Sequence, residues 1–73
     1  MNKNMLISKM KLFGDTNENL AEYIGISASR FSAKINEWNG AEFTQGEIAK
    51  IKEKYTLQSY EIDEIFFNQK RSY

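Results

Sequence analysis

The sequence predicts an all-α domain of five short helices. Three observations carry that prediction. Proline is absent from the 73 residues. The dominant apolar spacings are three and four residues, the period of a helix with one buried face. Residues 17 to 36, NENLAEYIGISASRFSAKIN, place Ala21, Gly25, Ile26, Phe31 and Ile35 at the intervals of two helices that cross through a tight turn.

The elements follow in order. Met5, Leu6, Met10 and Phe13 mark the inward face of a first helix over about 4–13. Gly14 stops it, as glycine does just past a helix end. Thr16 is a good N-cap for a second helix over 17–24, whose inward residues are Leu20, Ala21 and Ile24. Ala21 is small where another helix crosses close by, and Gly25 supplies a turn in which positive φ costs little. Ser27 caps a third helix over 28–36, with Phe31 and Ile35 inward and Ser29, Ser32, Ala33 and Asn36 on other faces. Glu37 to Ala41 reads as a loop around the Asn39-Gly40 turn signal. Thr44-Gln45-Gly46-Glu47 has the form of a capping box and opens a fourth helix that buries Ile48, Ile51 and Tyr55. A fifth helix is expected over 59–64, followed by Phe66 and Phe67, and the polar tail 68–73 is expected to fray. No repeat, linker or low-complexity stretch divides the chain, so it reads as one domain over 1–73.

Composition narrows the function. There is no cysteine and no histidine, which removes disulfides, thiolate metal sites and the commonest general base at neutral pH. With no nucleophile–base pair and no phosphate loop, the chain does not read as an enzyme, and neither a metal nor a cofactor nor a small-molecule substrate is expected. No apolar run reaches the roughly 18 residues of a membrane span, and MNKNMLISKM alternates too much for a signal-peptide core. A cytoplasmic protein is expected.

Ten basic and ten acidic residues give zero net charge. The halves differ. Residues 1 to 36 carry five basic and three acidic side chains, a balance of +2, and residues 37 to 73 carry five and seven, a balance of −2. Duplex DNA binding draws much of its affinity from phosphate neutralisation, so a neutral chain gains little from its global field.

The crossed pair, with Ala21, Gly25, Ile26, Ser27 and Phe31 at their positions, resembles the lambda-repressor-like helix-turn-helix fold of phage Cro and repressor proteins. The downstream stretches 41–48 (AEFTQGEI) and 61–67 (EIDEIFF) are similar to small early-region regulators of temperate phages in Gram-positive bacteria. Within that group the chain resembles the modulator-of-repression antirepressors of lactococcal-type phages. The resemblance implies a bacterial host cytoplasm and a role in the lysis–lysogeny switch. It implies an N-terminal helix-turn-helix domain of the phage repressor as partner, with operator DNA bound weakly alone or in that complex. A Cro-like repressor that binds operator DNA directly through helix three is the alternative.

The resemblance also implies a site. The family usually opens the second helix with a glutamine that bonds a DNA phosphate, and Asn17 stands at that position. The base-reading positions fall on Ser27, Ala28, Ser29, Arg30 and Ala33, with Lys34 beside them. Among these only Arg30 has the fork that pairs well with guanine, and one such pair supplies about 1–3 kcal/mol of discrimination. Lys9, Asn17 and Lys34 are the candidate phosphate contacts. Of the remaining lysines, Lys50, Lys52 and Lys54 alternate along a helix and cannot share one face. Glu61, Asp63 and Glu64 form an acidic cluster that reads either as a solvated face or, with Trp38, as a patch for a basic partner surface. Among the other aromatic residues, Phe66 suits the core and Phe67 suits a partner surface.

Overall fold

Asn2 opens the first helix by accepting a hydrogen bond from Met5 N at 3.1 Å, and its own backbone N–H donates to Ile65 O, near the end of the helix over 59–66, at 2.7 Å. The computed structural model describes residues 1–67; the tail 68–73 lies outside the described residues. Helices α1 (Lys3–Leu12), α2 (Asn17–Ile24), α3 (Ala28–Ile35), α4 (Gln45–Tyr55) and α5 (Ser59–Phe66) are joined by short connections, with a tight turn at Trp38–Gly40 between α3 and α4. No strand occurs among the described residues, and no helix among them is long and apolar enough to cross a membrane.

Each boundary has a local chemical cause. Thr16, Ser27 and Thr44 each accept a hydrogen bond from the backbone three residues on, at 3.1, 3.2 and 3.2 Å. Each such cap stabilises its helix by about 1 kcal/mol. Gly25 takes φ +86°, Gly25 N bonds Glu22 O at 3.1 Å, and Ile26 N bonds Ala21 O at 3.0 Å. That pair of bonds is a Schellman ending, which satisfies carbonyls the helix leaves open. The same ending recurs at Gly14, where Asp15 N bonds Met10 O at 2.8 Å.

One hydrophobic cluster gathers residues from all five helices, centred on Leu6, Leu20, Phe31, Ile51 and Ile65. Phe31, Phe43 and Phe66 run through it edge to face, with ring centroids 5.6 and 5.7 Å apart. Helix α2 packs on α3 and α4, and α5 packs on α1 and α4.

The structure corrects three expectations. The first helix begins at Lys3 because Asn2 caps it. Phe13 is not inward; it is half exposed and stacks on Tyr55, centroids 4.8 Å apart, because the chain has already left the helix there. The expected Asn39-Gly40 turn is present, with Glu37, Asn39 and Gly40 at positive φ and Ala41 N bonded to Trp38 O at 2.9 Å. Helix α5 runs on to Phe66, since Ile62 and Ile65 keep one face buried over its whole length.

Candidate functional site

Burial of Phe31 and Ile35 fixes the rotation of α3. At about 100° per residue, that rotation leaves Ser27, Ala28, Ser29 and Arg30 exposed and brings Ala33 and Lys34 to a half-buried flank. Arg30, Ala33 and Lys34 line one shallow depression together with Ala41, Thr44 and Glu47. The far wall is therefore the capped start of α4. Asn17 is exposed at the first residue of α2.

The cations of this region differ sharply in freedom. Lys34 Nζ donates to both carboxylate oxygens of Glu47, at 2.7 and 2.9 Å. Glu47 Oε1 also accepts from Thr44 N at 2.9 Å, so one carboxylate closes the capping box and holds the lysine. Burial alone pushes the Glu47 carboxyl up. Hydrogen bonds from Lys34 and Thr44 outweigh it and hold the group below the ordinary carboxylate range. Lys9 Nζ donates to Glu61 Oε2 at 2.7 Å, tying α1 to α5. Among the described residues the Arg30 guanidinium makes no ion pair and is exposed.

The acidic group on α5 is divided in the same way. Glu61 accepts from Gln58 N at 2.8 Å as well as from Lys9, and both bonds keep its carboxyl below the ordinary range. Asp63 and Glu64 are exposed and make no ion pair among the described residues. Trp38, 58 % exposed, sits apart from them in sequence on the turn that leaves α3.

Two features escaped the sequence reading. Phe43, Ile48, Phe66 and Phe67 line a groove with Glu37 and Glu42 at its polar side. Phe43 was legible in principle. It stands one residue before the Thr44 cap and Ile48 stands four after it, the spacing of a hydrophobic staple. Ile26 with Phe31 and Leu57 with Ile62 occupy the same two positions around Ser27 and Gln58, and all six residues belong to or pack on the core. The second feature is a polar knot. Tyr55 OH donates to Asp15 Oδ2 at 2.7 Å, and Lys54 Nζ lies 3.5 Å from that oxygen and 4.8 Å from the Tyr23 ring centre. No local pattern signals a contact across 40 residues.

Comparison of the chain with family models, with curated proteins and with solved structures gives no match.

Proposed function

We propose that this chain is a lambda-repressor-like helix-turn-helix regulator of a temperate-phage lysis–lysogeny switch, acting as an antirepressor in the bacterial host cytoplasm. It binds the N-terminal domain of the phage's main repressor and modulates that protein's hold on DNA. Helices α2 and α3 are the helix-turn-helix unit, and the exposed face formed by Ser27, Ala28, Ser29 and Arg30 is the contact surface. Ala33 extends that surface beside Arg30, and Trp38, exposed on the turn after α3, is a second candidate contact.

The observation that carries this reading is the bidentate Lys34–Glu47 pair. A direct DNA reader needs its cations available for phosphate. Here Lys34 and Lys9 are both held by carboxylates of the same chain. A surface of serine and alanine with one open arginine suits close approach of a protein helix better than readout of bases. The Cro-like alternative draws on Arg30, which is exposed beside the α3 N-terminus and could pair with a guanine edge.

Co-elution tests the reading. The protein, mixed at micromolar concentration with the N-terminal domain of the phage's main repressor, should run as one complex on size exclusion. The emission of Trp38, the sole tryptophan, should shift to the blue as the partner covers it. Separate elution with unchanged emission would contradict the antirepressor role.

A further inference from the structure

Glu47 is anchored more firmly than a surface carboxylate. It is the third residue of α4, its Oε1 accepts from Thr44 N at 2.9 Å, and its own N–H donates to Thr44 Oγ1 at 3.2 Å. Its side chain is 12 % exposed and that of Lys34 is 17 % exposed. An ordinary surface ion pair contributes little, because two long side chains must be ordered to form it. In this pair the helix cap has already fixed the carboxylate, so less freedom is lost on pairing. The ammonium meets both oxygens at 2.7 and 2.9 Å. Lys34 lies one helical turn beyond Arg30, and both side chains line the same depression.

The carboxylate neutralises the ammonium and takes two of its three donors, so an incoming phosphate gains the full charge of Lys34 only by displacing a group that is two-pronged, partly buried and tied to the backbone. We propose that Glu47 selects the class of partner for this face: its carboxylate occupies Lys34, excludes nucleic-acid phosphate from the α3 surface and leaves that surface to a protein. The inference rests on the reading of α3 as the contact face, and it assigns the selectivity of that face to one residue on a different helix.

Glu47→Gln is the direct test. Glutamine at this position still bonds the cap backbone, so α4 keeps its start while Lys34 is released. Binding to a short random-sequence DNA duplex is followed by fluorescence anisotropy over a range of salt, with circular dichroism to confirm the fold. The variant should bind on the order of tenfold more tightly at low salt, with a log–log salt slope steeper by about one. Adding Lys34→Ala to Glu47→Gln should return both quantities to those of the unaltered protein. Lys34→Ala alone, which leaves the cap untouched, should leave the salt slope where it was.

An unchanged affinity in folded Glu47→Gln would overturn the proposal. So would a gain that survives Lys34→Ala, or a slope that flattens when Lys34 alone is removed. None of these measurements uses the repressor. Failure of Glu47 as a selector is thus distinguishable from failure of the antirepressor reading, which is decided by co-elution.

Discussion

The Tyr55 hydroxyl donates to Asp15 Oδ2 at 2.7 Å, closing the end of α4 onto the turn that follows α1. Phe13 covers the same ring from one side, and Lys54 stands near the carboxylate. A hydrogen bond to a carboxylate contributes about 1.5–3 kcal/mol when well formed. Partial exposure reduces that, so Tyr55→Phe should cost about 1–2 kcal/mol. Urea unfolding measures it, and a loss below a few tenths would show that the bond does little for stability.

The same contact predicts an alkaline signature. Burial first, then the bond to Asp15 and its charge, raise the Tyr55 phenol above its ordinary value of 10.0. A raised folded-state pKa favours the folded chain while the phenol is protonated in both states. That contribution is complete below about pH 10 and is lost as pH rises beyond it, because the unfolded chain gives up its proton first. The stability gap between the native protein and Tyr55→Phe should therefore be level up to about pH 9 and narrow as the pH rises through about 10 and beyond. A constant gap would contradict the assignment.

Acid should act through Glu47 and Glu61. Both carboxyls lie below their ordinary value of 4.5 in the folded chain. Lowered values stabilise the fold fully above the unfolded-state pKa, and the contribution fades as pH falls through the folded-state values. Unfolding midpoints should be level from about pH 7 to pH 5 and drop below about pH 4.5. Glu47→Gln should shallow that drop, and an equally steep drop in the variant would assign it to other groups.

Thr56 ends α4 at φ +51°, with Leu57 N bonded to Lys52 O at 3.0 Å. A β-branched residue there costs about 1–2 kcal/mol, while glycine gives back about 0.5–1 kcal/mol through its looser unfolded chain. Thr56→Gly should stabilise the protein by about 0.5–1 kcal/mol, a rise of roughly 4 °C in melting temperature for a domain of this size. A fall in melting temperature would show that the threonine side chain has a compensating role.

Phe31 is fully buried and stands at one end of the aromatic ladder through Phe43 to Phe66. Phe31→Ala should cost about 3–5 kcal/mol, a large part of the roughly 4–11 kcal/mol available to a domain of this length. The urea midpoint reads this directly. A cost under about 1 kcal/mol would mean that the core repacks around the void.

What could be read from the sequence was what is local. Thr16, Ser27 and Thr44 were legible as caps because their bonds span three residues, and Gly25 because only glycine turns there at little cost. The bounds of α2 therefore came out as expected. Phe13 misled because it follows Met10 at helical spacing while the helix has already ended at Leu12. Asn2, Phe43 and Leu57 carried signals in their offsets from neighbouring helix starts. The candidate site divides along the same line. The exposure of Ser27 to Arg30 follows from the burial of Phe31 and Ile35. The capture of Lys34 by Glu47, and of Lys9 by Glu61, depends on how residues separated by 13 and 52 positions in the chain are brought together by helix packing. No spacing rule encodes that.

The proposed occupant of the α3 face is a protein rather than DNA. A gel shift with the phage operator tests it most directly. The protein alone should leave the operator unretarded at micromolar concentration, and added to a repressor–operator complex it should change that complex's mobility or occupancy. Arg30→Ala should weaken the second effect. Sub-micromolar retardation of the operator by the protein alone, falling steeply with salt, would contradict the account and establish the Cro-like alternative.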